Sequence, residues 1–205
     1  MNVDYPALLL AAITLLATRY VYLDHVSYAI LCLSLMVALP LAYIRWRKRA
    51  PGAYLIQAGM WRNGLIISAA MILAALPIMH YGSTLQQFQK YYPTWGPASE
   101  NLHNFIMFEL YVLAIMVSTE VFYRGFLMNV LREHTRHGNA IHAIIYMLAH
   151  IGKPPLEVAY SLPVGWIFGE VDIKCKSILP SLTMHYISSV IFDMMILYQL
   201  GVRVV

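Results

Sequence analysis

Seven apolar runs divide the 205-residue chain, at Tyr5–Leu23, His25–Ile44, Leu65–Tyr81, Phe105–Leu131, Asn139–Ile151, Leu156–Val171 and Ser177–Leu200. A helix needs roughly 20 apolar residues to cross a hydrocarbon core about 30 Å thick. The fifth and sixth runs fall short of that length, which suits helices in a protein interior or beside a water-filled cavity. The fourth is long, so its C-terminal part should emerge at the interface. The pattern predicts an all-α fold, a polytopic transmembrane helical bundle of about seven spans in a single membrane domain. Residues 1–104 would supply spans one to three and a long outer loop, and residues 105–205 the other four spans. Pro40, Pro77, Pro163 and Pro180 fall in or near spans, where neighbouring helices absorb the kinks.

Composition agrees with the pattern. The chain is 60% hydrophobic and 12% charged, against roughly 25% charge in a soluble domain. The net charge of +4 does not point to nucleic acid, because the basic residues cluster at the ends of apolar runs. The partners predicted are membrane lipids and a membrane-associated peptide or protein. The segment from Arg45 to Arg62 holds five Lys/Arg and no acid. The positive-inside rule places it in the cytoplasm, which puts the N-terminus inside and the C-terminus outside. The cytoplasmic side then carries nine Lys/Arg and the outer side four, namely Arg19, Lys90, Lys153 and Arg203. The expectation is a multi-pass protein of the cell (inner) membrane with a cytoplasmic N-terminus. Met1–Asp4 has no basic character, so no cleavable signal is expected. Gly82–Asn104 is aromatic-rich and is expected to lie on the headgroups. Cys32 and Cys175 give no disulfide framework.

A few polar groups interrupt the apolar runs. Glu120 and Arg124 are four apart and share a helix face, and ionisable groups in a bilayer cost several kcal/mol unless they serve a purpose. His150 and His185 lie in two other spans. At ~1.5 Å per residue, Glu120 sits roughly 18 Å, His150 roughly 17 Å and His185 roughly 12 Å from the cytoplasmic ends of their helices. Ser189 and Asp193 extend the His185 face by successive turns. A carboxylate with two imidazoles can activate a water, the carboxylate taking a proton while the imidazoles orient the water or stabilise an oxyanion. Arg124 would hold Glu120 ionised. Glu120, His150 and His185 could equally hold a metal such as Zn. Glu133-His134-Thr135-Arg136-His137 only superficially resembles a zinc motif: its histidines are three apart and its Glu precedes them.

The order of these residues resembles the CAAX-prenyl-protease-2-like and bacteriocin-processing (CPBP, or ABI) family of intramembrane proteases. Thr119-Glu120-Val-Phe-Tyr-Arg124-Gly125 is similar to the family's Glu-Glu-x-x-x-Arg motif, Tyr146-Met-Leu-Ala-His150 to its second motif, and His185-Tyr-Ile-Ser-Ser189 to its His-x-x-x-Asn/Asp motif. Gly165-Trp-Ile-Phe-Gly169 is similar to the segment before the family's last histidine. His150-Ile-Gly-Lys153-Pro-Pro-Leu-Glu157 resembles a His-x-x-Lys-Pro-x-x-Glu variant of one branch. The resemblance covers about Phe105–Asp193. It implies peptide-bond hydrolysis in or near the membrane, on prenylated C-termini, leader peptides or sorting signals, with either a metal or a metal-free glutamate mechanism. Glu120, His150, His185 and Arg124 are the catalytic candidates; Thr119, Ser189, Asp193, Glu157 and Lys153 are substrate-binding or supporting candidates. Two departures stand out. Thr119 occupies the position of the first Glu, usually given the water-activating role, and Ser189 that of the final Asn/Asp. They leave open a catalytically degenerate member acting as an immunity factor or scaffold. A small transporter with a proton relay is disfavoured by the lack of any internal repeat.

Overall fold

The computed structural model describes residues 4–21 and 23–202. Arg203 and Met1–Val3, which enter the charge count and the expectation of no signal, lie outside the described residues. Among the described residues, seven main helices follow the seven apolar runs: α1 Tyr5–Tyr20, α2 His25–Trp46, α3 Trp61–Ser83, α4 Leu102–His134, α5 Gly138–Ala149, α6 Pro155–Cys175 and α7 Leu179–Gln199. The fold is therefore all-α, as the pattern predicts. Of these, α2, α3 and α4 are long and apolar enough to cross a membrane. The remaining four do not meet that measure. α1 and α5 are short, α6 carries Glu157, Glu170, Asp172 and Lys174, and α7 is diluted by Ser, Thr, His and Asp. The apolar runs thus place helices well but overstate how many are self-sufficient spans.

Local sequence explains the boundaries. Asp24 caps α2 by accepting from the Val26 and Ser27 N–H groups. Asn101 caps α4 through the Asn104 N–H, 2.9 Å away. Lys176 ends α6 in the left-handed conformation at φ 54°. α2 and α4 each contain a π-helical stretch, Leu33–Ala38 and Val121–Leu127, a device frequent at functional sites. In α4 the Asn129 amide donates to the carbonyls of Arg124 at 2.9 Å and Gly125 at 2.8 Å, within the π stretch.

The basic loops meet at one end of the bundle. Asp4 accepts from the Tyr43 hydroxyl and pairs with Arg47 at 3.5 Å, and Arg49 pairs with Glu133. The Asp4 N–H donates to His134 Nε2, whose Nδ1 donates to the Val130 carbonyl, so this histidine is a helix-end tie and not part of a zinc motif. Gln57 donates to the Lys176 carbonyl, and the Ser177 hydroxyl donates to that of Gln57. At the opposite end, the loop after α3 folds onto the bundle. Phe88 is buried against Phe192, Trp95 packs on His25, and the Tyr92 hydroxyl donates to Glu157. Its aromatics cap the bundle because the α4 core of Phe108 and Val112 is open there to cover.

α4 is the central helix: all seven residues of its π stretch are buried. α3 is peripheral, and Ile66, Leu73 and Ile78 point outward as an exposed apolar face. α5 and α6 approach closely through Gly165 and Gly169, a small-xxx-small spacing. A Cβ on Gly165 would meet the Tyr146 ring at 2.9 Å, and one on Gly169 the Asn139 Oδ1 at 2.1 Å. Gly169→Ala should therefore force α5 from α6 and destabilise the protein by about 1–3 kcal/mol, measured as a lowered midpoint of unfolding in detergent; an unchanged midpoint would show that this contact does not hold the helices together.

Candidate active site

The Glu120 side chain is fully buried and accepts twice on one oxygen. Arg124 Nη1 donates to Oε1 at 2.8 Å, and His185 Nδ1 donates to the same atom at 2.6 Å. Arg124 is also fully buried. Its guanidinium lies 4.1 Å from the Tyr146 ring centroid and 5.6 Å from that of Phe168, so cation–π contact replaces part of its lost hydration. The aromatic shell is a consequence of the glycines, since Gly165 lets Tyr146 press into α6 and Phe168 rides on the same helix.

His185 is reached from α7 and its side chain is 20% exposed, whereas that of Glu120 is not exposed at all. With Nδ1 committed to Glu120, the lone pair of Nε2 points away from the carboxylate. The Tyr146 hydroxyl lies 3.5 Å from that Nε2, the weak limit of a hydrogen bond. His150 does not bond Glu120. Its Nδ1 donates to the Tyr146 carbonyl at 2.8 Å, which fixes the tautomer and leaves Nε2 as an acceptor. Its ring lies 4.4 Å from that of Tyr146. Tyr146 thus stands between the two histidines.

A cavity of about 930 Å³ opens beside this group. His150, Tyr146 and Thr119 line it; Glu120 and His185 do not. Adjacent residues on a helix point about 100° apart, so one neighbour faces the cavity and the other the interior. The Thr119 hydroxyl is turned back onto the Ile115 carbonyl at 2.8 Å.

The supporting candidates fall elsewhere. Lys153 donates to Glu157 at 2.8 Å, and Tyr92 holds the second oxygen of Glu157. Asp193 is buried, and its Oδ1 has no partner among the described residues. Ser189 is half-buried on α7. Sequence reasoning missed Asp172, fully buried and bonded at Oδ1 by the Ser181 N–H. It also missed His142, buried beneath Tyr146 with Nδ1 3.3 Å from Asn139 Oδ1. A sixth run drawn as ending at Val171 hid the first; a helix-face projection of α5, with His142, Tyr146 and His150 four apart, would have revealed the second.

The zinc option does not fit these side chains. An engaged Nδ1 would leave Nε2 of either histidine able to ligate, but no three His, Cys, Asp or Glu among the described residues are grouped to hold a metal ion.

Residues 101–191 match the family described as Rce1-like, type II CAAX prenyl endopeptidase. The resemblance read from the motifs is therefore supported over the segment that contains Glu120, Arg124, His150 and His185, a match to a protease family that spans less than half of the chain. No curated protein and no solved structure matches the chain.

Removing one member of a buried ion pair strands the other, at a cost of about 3–5 kcal/mol. Arg124→Ala should show that loss in detergent unfolding. Arg124→Lys should recover only part of it, because an ammonium cannot reproduce the planar contact with Tyr146. Equal stability of Arg124→Lys and wild type would remove the stacking argument.

Proposed function

We propose that this protein is a membrane-embedded endopeptidase that hydrolyses a peptide bond of a membrane-associated protein or peptide. The observation that carries this reading is the Glu120–His185 contact, beside a cavity whose wall bears His150. A buried carboxylate on Nδ1 of a histidine fixes its tautomer and stabilises the imidazolium formed when Nε2 takes a proton. On this reading His185 Nε2 removes a proton from water, and the hydroxide attacks the scissile carbonyl carbon. His150 Nε2 accepts from the water or the substrate amide, and the Tyr146 hydroxyl donates to the oxyanion. The proton on His185 then passes to the leaving amine as the C–N bond breaks. Glu120 acts behind His185, and Arg124 keeps it ionised. No step passes through a metal.

The same reading places the helices as a seven-span bundle of the cell's inner membrane. The cation-rich end, with the start of α1, would be cytoplasmic.

Thr119 favours a second reading. The residue that faces the cavity has no ionisable group, and its hydroxyl is spent on its own helix. In that case the protein would bind membrane partners without cleaving them, as a scaffold or immunity factor.

The test is cleavage of membrane-inserted peptides by the purified protein in liposomes, followed by mass spectrometry. Glu120→Ala, His150→Ala and His185→Ala should each lower the rate at least ~100-fold, and full activity of Glu120→Ala would sink the assignment. The second reading expects no cleavage by wild type and an intact cellular phenotype in the triple alanine variant.

A further inference from the structure

The cavity beside Thr119 and His150 has a second feature, at its other end. Among the described residues its lining includes Arg19, Lys153, His25 and His150 but no Asp or Glu. At about 930 Å³ it stands at the upper end of the ~300–1,000 Å³ typical of small-molecule sites. Arg19 lies in the last turn of α1, is exposed, and makes no ion pair among the described residues. The connection after α5 passes close beneath it. Gly152 has φ 102°, and a Cβ built there would lie 3.4 Å from Arg19 Nη2. The next residue is Lys153. Arg19 and Lys153 therefore both line this end of the cavity, and only Lys153 has a carboxylate, Glu157, to offset it.

A cation at the end of α1 is favoured by the helix dipole. That does not account for a second cation, Lys153, on the same cavity, nor for a lining free of carboxylates among the described residues. Below the rim the walls are apolar, formed by Leu15, Ile115, Met116 and Ile145. A charged head and an apolar throat in one cavity define an amphiphile.

We propose that this cavity is a binding site for an anionic phospholipid, with the phosphate between Arg19 and Lys153 and a hydrocarbon chain running past Leu15 and Ile115 toward Thr119. Basic pockets between membrane helices take anionic headgroups on the same electrostatic ground. The proposal does not depend on hydrolysis. If the protein cleaves peptides, the lipid chain and the substrate share the His150 wall, and lipid occupancy would set substrate access.

The experiment is native mass spectrometry of the full-length protein released from detergent, with phosphatidylglycerol or phosphatidylcholine added. One phosphatidylglycerol should be retained at least ~10-fold more tightly than phosphatidylcholine. Arg19→Gln should abolish that preference, and Arg62→Gln, at the opposite end of the bundle, should leave it intact. Arg19→Lys keeps the charge and should retain binding, which separates loss of the site from loss of the fold. Equal retention of both lipids, or an unaltered preference in Arg19→Gln, would overturn the site. Displacement of phosphatidylglycerol by a peptide with a free C-terminal carboxylate, but not by its amide, would show that the anion is a peptide terminus and would overturn the lipid assignment.

Discussion

The buried charge of Glu120 is the constraint on which the rest depends. A carboxylate with no solvent exposure, in a helix apolar enough to span a bilayer, survives only with partners that stay in place. Arg124 supplies the countercharge from the next turn, and His185 reaches across from α7 to the same oxygen. The guanidinium in turn needs Tyr146 and Phe168 around it, and those rings need the close approach of α5 to α6 that Gly165 and Gly169 permit. One charge therefore ties together α4, α5, α6 and α7.

That arrangement separates electrostatics from access. The charged pair lies in the interior, while the groups a substrate could touch lie at its edges: His185 partly exposed, His150 and Tyr146 on the cavity. Tyr146 is the hinge of the scheme, because its carbonyl orients His150, its ring stacks on Arg124 and its hydroxyl approaches His185. The N-terminal helices contribute to the other side. α1 and α2 close the cavity with apolar walls and bring Arg19 to its rim.

Much of this was legible in the chain. Apolar runs located all seven helices, and the four-residue spacing of Glu120 and Arg124 correctly implied an ion pair. The similar depths of Glu120 and His185 reflected a real contact. His150 matched them in depth but not in direction. Depth follows from counting residues, whereas facing depends on how α5 is rotated against its neighbours, and no single-chain periodicity reveals that. The capping contacts of the loop from Gly82 to Asn104 were not legible for a related reason: aromatic residues are favoured both on headgroups and in a protein cap, and only the fold shows which of them pack inward. Asp172 escaped notice because a charged residue near the end of an apolar run is ordinarily solvent-facing, whereas here it folds back on the start of α7. Thr119 was visible as a departure from the family pattern, but its place on the cavity wall is a property of the fold.

The central claim is that Glu120 fixes His185 through Nδ1 and leaves Nε2 to do the chemistry. Nitrogen-15 NMR of ring-labelled histidine in the membrane-reconstituted protein tests it directly. The account predicts that His185 is protonated at Nδ1 and bare at Nε2, and that Glu120→Gln abolishes this preference. A His185 ring protonated at Nε2 with Nδ1 bare, or one indifferent to Glu120→Gln, would contradict it.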